Sequence, residues 1–251
     1  MLQKSDKRTD LMSEFEGVVR QVLMLRRFTD SEISRVWEAI PKKRCGDQYV
    51  GSIKDWDCDA DDFPVRKFIH DCQPRRADAI LFILESPHTE EYKNGACAPA
   101  KKNTGRALRK YKDKIAKLSG VTDVYLVNAV RYQCSLGKAY KDIRKLGWFC
   151  EKTLPLKEIK EEIVCGCLSR RSFIEDFCIG IEQVLDLVEG KINVINACTK
   201  GGCGKYYNMI TNRILEIKHK REDKNIDVYK TTHPSSWFKS PNFDHVLGGV
   251  K

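Results

Sequence analysis

The sequence predicts a three-layer α/β/α fold, in which a short, mainly parallel sheet of four strands lies between two layers of helices. Four apolar runs have the length and composition of buried strands; they lie at 79–84, 123–130, 192–195 and 226–231. Segments in which apolar residues recur at helical spacing separate these runs. Strands that alternate with helices in this way are typical of parallel sheets covered on both faces.

Helical patterns begin before the first of these strands. Residues 11–40 predict two helices, the second of which has N-cap chemistry at Thr29. Residues 42–64 are polar and predict an irregular connection, and residues 63–72 predict a short helix. Later helices are predicted at 104–118, 169–188 and 206–219.

The length of 251 residues allows a sizeable core. We expect residues 1–75 to form a helical N-terminal extension that packs on a main domain over residues 76–251. The polar first sixteen residues do not resemble a secretory signal, and no apolar run reaches the ~18 residues of a membrane span. We therefore expect a cytoplasmic monomer that does not contact a membrane.

The charge balance indicates an anionic partner. Lys and Arg number 45 against 35 for Asp and Glu, so the net charge is +10. Nucleic acid is the commonest partner of such a protein, although a basic protein with no such partner has the same balance. Because disulfides are rare in the cytoplasm, the eleven cysteines are expected to be core residues, metal ligands or both.

Two polar clusters each follow a predicted strand. The first is Glu85-Ser-Pro-His88, and the second is Thr232-His-Pro-Ser-Ser-Trp237. Open α/β sheets bind their ligands at the carboxyl ends of the strands. We therefore expect the two clusters to meet across one pocket, with Asn128 at the end of the second predicted strand.

These motifs resemble those of the uracil-DNA glycosylase superfamily. The resemblance rests on Leu84-Glu-Ser-Pro-His-Thr-Glu-Glu91, Asn128-Ala-Val130 and His233-Pro-Ser235, which occur in the family's order. Thr104-Gly-Arg106 is similar to a helix start that follows the family's first motif. The resemblance covers roughly residues 78–237. It implies a catalytic domain that extrudes a nucleotide from DNA and needs no cofactor.

The resemblance implies roles for three catalytic residues. Glu85 would orient water or stabilise the sugar cation, with Glu91 in reserve, and His233 would donate a hydrogen bond to the pyrimidine O2 as the base leaves. Such groups favour a reaction that builds positive charge on the sugar and negative charge on the base. Ser86 occupies the position at which many members have Asp or Asn. On local grounds alone, a glutamate at a strand end is more often an ordinary solvated residue, and His233 could instead cap the turn before Pro234.

Base recognition is also implied by the resemblance. Asn128 would bind the Watson–Crick edge of the extruded base, and Tyr92 would stack on it. His88, after Pro87, stands where uracil-specific members have a bulky tyrosine that crowds the pyrimidine C5 position. Small residues near position 97 further suggest a roomy pocket. The substrate expected is therefore a cytosine with a bulky hydrophilic C5 group, as in the hypermodified cytosines of some phage genomes, and the role is antiviral defence.

DNA contacts are expected on both sides of the pocket. Trp237 falls where family members insert an apolar wedge into the duplex, although a core tryptophan is an equal alternative. Phosphate contacts are expected from Lys101, Lys102, Thr104, Arg106, Ser235 and Ser236. A solvated helix face and turn hydroxyls are the plainer explanations of these residues.

Three other functions fit parts of the sequence. One is a uracil-DNA glycosylase of base-excision repair. Another is a metal-dependent nuclease that uses the acidic residues and His88 of the first motif, namely Glu85, Glu90 and Glu91. The third is an inactive nucleic-acid-binding module, which Ser86 makes plausible.

A metal centre is not expected. Cys134 and Cys150 resemble, in position and separation, the later pair of cluster ligands in the iron–sulfur branches of the superfamily. The early Cys-x-x-Cys of those branches is absent. We therefore predict no metal and no cofactor.

Overall fold

The computed structural model describes residues 4–92, 97–101, 103–117, 123–136, 156–199, 204–239 and 248–249. The strands are β1 (Gln48–Ser52), β2 (Lys67–Phe68), β3 (Ala79–Leu84), β4 (Asp123–Asn128), β5 (Ile192–Asn196), β6 (Ile226–Lys230) and β7 (Gly248–Gly249). The helices are α1 (Lys4–Leu25), α2 (Asp30–Ala39), α3 (Asn103–Lys110), α4 (Lys112–Lys117), α5 (Leu156–Leu168), α6 (Arg171–Leu187) and α7 (Lys205–Lys220).

The strands form one mixed sheet in the order β2-β1-β4-β3-β5-β6-β7. Neighbours among β4, β3, β5 and β6 are parallel, whereas β1, β2 and β7 pair antiparallel with their neighbours. The α/β class is confirmed. The sheet is wider than the four strands predicted, because antiparallel strands extend it at both edges.

Three predicted segments differ from the structure. The helix predicted at 104–118 is two helices, α3 and α4, with Tyr111 between them. β1 lies within the stretch 42–64 that was expected to be irregular, and residues 63–72 contain β2 and a 3₁₀ turn instead of a helix. β1 was not predicted because it begins with the polar residue Gln48. Its buried side chain is satisfied by Arg66, whose Nη1 donates a hydrogen bond of 2.7 Å to Gln48 Oε1.

Helices pack on both faces of the sheet. On one face, α1, α2, α5, α6 and α7 contribute to a large apolar core; on the other, α3, α4 and the 3₁₀ helix Pro234–Lys239 cover a smaller one. The predicted cap of α2 is confirmed, because Thr29 Oγ1 accepts a hydrogen bond of 3.3 Å from Glu32 N. α1 is the longest described helix, and none in the described ranges is long and apolar enough to cross a membrane.

The first 75 residues are joined to the rest of the chain through the sheet as well as through helices. β1 pairs with β4, and α1 packs on α5. A division at residue 75 stays a prediction, but the part before it is not only helical.

A buried ion-pair network fixes the loop that follows β4. Arg131 contacts the carboxylates of Asp47 and Asp176. Burial lowers the pKa of this guanidinium, but the two carboxylates outweigh burial and raise it. Asp47 Oδ1 also accepts a hydrogen bond of 3.3 Å from Asn128 N. The network therefore holds the carboxyl end of β4 in place.

Candidate functional site

A cavity of about 260 Å³ lies at the carboxyl end of β3. The residues from Glu85 to His88 form one side, and His233 and Ser235 form another. The two polar clusters therefore meet at one cavity, as their positions in the sequence predict. The other lining residues are Leu84, Glu91, Lys101, Asn103, Thr104, Ser135, Lys160 and Thr199.

Backbone hydrogen bonds hold the strand ends that carry these side chains. Val130 N donates to Glu85 O over 3.0 Å, so the loop after β4 continues the pairing beyond the last residue of β3. Thr231 N donates to Asn196 O over 3.0 Å and extends the pairing of β6 with β5. Glu85 and His233 thus follow strand ends that are held by backbone hydrogen bonds.

Glu85 is the central acidic group of the cavity. Its side chain is only 2% exposed. Lys160 Nζ lies 2.6 Å from Oε1, and the Tyr206 hydroxyl donates a hydrogen bond of 2.6 Å to Oε2. Burial, and then the charge of Glu85, raise the pKa of Tyr206, so this hydroxyl stays a donor. Lys160 and Tyr206 therefore hold the carboxylate of Glu85 in a fixed position at the cavity.

His233 has a defined tautomer. Ser235 N, which is always a donor, points at His233 Nδ1 over 3.3 Å, and Ser235 Oγ lies 2.8 Å from the same nitrogen. Since Nδ1 accepts, the proton of the neutral ring is on Nε2. Nε2 can then donate to a ligand in the cavity.

The ring of His233 is neutral near pH 7. Burial lowers its pKa to about 4, with Glu85 opposing the shift and with Lys160 and His88 adding to it. A neutral imidazole that donates through Nε2 can stabilise a developing oxyanion without losing its proton.

Glu91 shapes the cavity wall. Its Oε1 accepts from Ala100 N over 2.8 Å and its Oε2 from His88 N over 3.2 Å. Burial raises the pKa of Glu91 to about 8, although the two backbone donors oppose this. Because both oxygens are engaged, Glu91 acts in the structure as a tie between the loops on either side of residues 93–96.

The start of α3 forms a further part of the wall. Thr104 and Lys101 line the cavity, whereas Arg106 is exposed and does not. Gly105 is required here, because a Cβ atom would overlap the Ala100 carbonyl oxygen. Lys102 lies outside the described residues.

Two predicted base-binding residues do not line the cavity. Asn128 is buried beside Leu84 in the register of β3 and β4, and neither atom of its amide has a hydrogen-bond partner in the described part of the chain. The Tyr92 hydroxyl is also buried, and burial together with nearby Cys97, Cys45 and Cys134 raises its pKa. Of the residues predicted to bind the base, Pro87 and His88 line the cavity, and His88 is exposed.

Trp237, which was predicted to be either a wedge or a core tryptophan, lies in the core of the structure. It is 1% exposed, its Nε1 donates to Thr232 O over 3.0 Å, and its ring packs edge-on against Tyr111. The next residue, Phe238, is 40% exposed. Ser236 is a turn hydroxyl, because its Oγ donates to His233 O over 2.7 Å.

No group of three or more His, Cys, Asp or Glu side chains in the described ranges is arranged to hold a metal. Cys134 is buried and its thiol donates to Tyr132 O over 3.5 Å. Cys150 and the side chain of Glu90 lie outside the described residues.

Sequence reasoning missed Lys160, Tyr206 and Ser135. Lys160 lies on α5, a helix that was not predicted, and reaches Glu85 from 75 positions away in the chain. Tyr206 lies in the first turn of a predicted helix but has no motif around it. Ser135 follows the predicted strand by several residues and could have been found only from the fold.

Comparisons of the chain with protein-family models, with curated proteins and with solved structures found no match. The resemblance to the uracil-DNA glycosylase superfamily therefore stays a prediction from the motifs.

Proposed function

We propose that the chain is a monofunctional DNA glycosylase of the uracil-DNA glycosylase type, which extrudes and hydrolytically excises a C5-modified cytosine of phage DNA. The observation that carries the proposal is that a buried Glu85, paired with a cation, and a neutral His233 line one cavity at the carboxyl ends of the parallel strands. Both groups would assist the cleavage of an N-glycosidic bond, since the sugar becomes cationic as the base becomes anionic.

The roles of the cavity residues follow from this charge separation. Glu85 stabilises the sugar cation, and His233 donates through Nε2 to the pyrimidine O2. Ser235, Thr104 and Lys101 contact the DNA phosphates. Phe238, which is exposed, takes the place of Trp237 as the apolar contact to the duplex. The cavity volume of about 260 Å³ is close to the lower end of the ~300–1,000 Å³ of small-molecule sites, so it suits a single base. A bulky C5 group would leave the cavity past His88.

The metal-dependent nuclease is less well supported by the described residues. Both oxygens of Glu85 are engaged by Lys160 and Tyr206, and both oxygens of Glu91 by backbone N–H groups. Uracil excision remains the nearest alternative within the proposed class.

The test is a mass-spectrometric measurement of free bases released from three DNAs: phage DNA with glucosylated hydroxymethylcytosine, uracil-containing DNA and unmodified DNA. We expect release of the modified cytosine, with the Glu85→Gln and His233→Ala proteins as inactive controls. Faster release of uracil would favour the repair enzyme. Release from none of the three, with DNA still bound, would support an inactive binding module instead.

A further inference from the structure

The pairing of Glu85 with Lys160 raises a problem for catalysis. A carboxylate stabilises a sugar cation through its negative charge, yet an ammonium lies 2.6 Å from Oε1 and cancels most of that charge in the free protein. The cation therefore pairs with the carboxylate in the free protein, but the same pairing is unfavourable during the reaction.

The two partners differ in their freedom to move. Glu85 is 2% exposed and its other oxygen is held by Tyr206, so it stays in place if Lys160 leaves. Lys160 is 27% exposed, lines the cavity and has a flexible four-carbon stem. Only the lysine can exchange partners.

A phosphate is the natural second partner. Ser235, Thr104 and Lys101 line the same cavity as Lys160, and hydroxyl groups and lysines are common partners of DNA phosphates. An ammonium that moves from a carboxylate to a phosphate exchanges one anion for another. The exchange therefore leaves no charge unpaired at Lys160.

We propose that Lys160 is a counterion that the substrate displaces: it pairs with Glu85 in the free protein and moves to a phosphate of the extruded nucleotide, which releases the charge of Glu85 towards the sugar. This inference rests on the proposed function. It makes Lys160 a positioning residue that restricts full catalytic charge to the DNA-bound state.

The test is a double-mutant cycle between Lys160 and the phosphates on either side of the target nucleotide. Single-turnover base release is measured for the wild type and for Lys160→Met, with each phosphate replaced in turn by an uncharged methylphosphonate. At one of the two positions we expect the replacement to slow the wild type by about tenfold and Lys160→Met by less than about twofold, a coupling typical of directly interacting groups.

Two controls keep the experiment interpretable. Lys191→Met removes the same charge at the amino end of β5, where Lys191 pairs with Asp227. This variant should respond to the phosphate changes like the wild type. Lys160→Gln keeps a hydrogen-bond donor for Glu85 and replaces Lys160→Met if that protein does not fold.

Equal slowing of the wild type and the variant at both positions would overturn the inference. So would a covalent DNA adduct at Lys160 after borohydride reduction, because that result would make the amine a nucleophile. Absence of base release by the wild type from every duplex would instead remove the proposed function, and this inference with it.

Discussion

At the level of single residues, the neutral state of His233 determines how base release should respond to pH. Because its pKa is lowered to about 4, we expect the single-turnover rate to be level from pH 7 to about pH 5 and to fall only near pH 4, where the ring gains a proton and Nδ1 can no longer accept from Ser235. A midpoint near 6.5, the ordinary value of histidine, would contradict the assignment.

The same residue links stability to pH. The unfolded chain binds the imidazole proton more tightly than the folded protein, so the contribution of His233 to stability is fully present above about pH 6.5 and is lost as the pH falls through about 4. The difference in urea midpoint between pH 7 and pH 5 should therefore be smaller in His233→Asn than in the wild type. An equal difference in both proteins would show that other groups cause the acid sensitivity.

Tyr206 gives a second prediction at this level. Tyr206→Phe removes the donor to Glu85 Oε2 and should slow base release by about tenfold, in keeping with a hydrogen bond to a charged group. Tyr207→Phe is the matched control, because the Tyr207 hydroxyl donates to the Thr231 carbonyl instead. Single-turnover rates test both; similar slowing in the two variants would point to a packing effect.

At the level of helices and strands, the start of α3 depends on the absence of a side chain at residue 105. Gly105→Ala should lower the free energy of unfolding by ~1–3 kcal/mol, because the methyl group forces α3 away from the Ala100 carbonyl. Gly17→Ala, inside α1, should instead raise stability by up to ~1 kcal/mol, since its Cβ would meet its nearest neighbour, Arg170, at 3.8 Å. Chemical denaturation of the two proteins measures both changes, and a stable Gly105→Ala protein would contradict the close contact.

Sequence patterns predicted the four parallel strands, in each of which most residues are apolar. β3 is a continuous apolar run and was found, together with its parallel neighbours. β1 was missed because Gln48, Gly51 and Ser52 break its apolar pattern. The buried Gln48 side chain accepts a hydrogen bond from Arg66, which lies 18 residues further along the chain. For the same reason the motifs located Glu85 and His233 but not Lys160, since an ion pair between distant positions leaves no local signal.

At the level of the whole molecule, the N-terminal part and the rest of the chain should unfold together. β1 is hydrogen-bonded to β4. Arg131 forms ion pairs with Asp47, in the N-terminal part, and with Asp176, on α6. We therefore expect one cooperative thermal transition for the full chain and no cooperative transition for a fragment of residues 76–251. Calorimetry of both proteins tests this; a fragment with a sharp transition of its own would show that the two parts are independent domains.

The burial of Trp237 has a practical consequence. Its indole is bonded to the backbone of Thr232, the neighbour of His233, and is shielded from water within the smaller core. A protein in which Trp237 is the single tryptophan would therefore carry an intrinsic fluorophore beside the cavity. Its emission maximum would shift to longer wavelength if the turn opens when a nucleotide enters, and stopped-flow fluorescence would then time that entry without any added label.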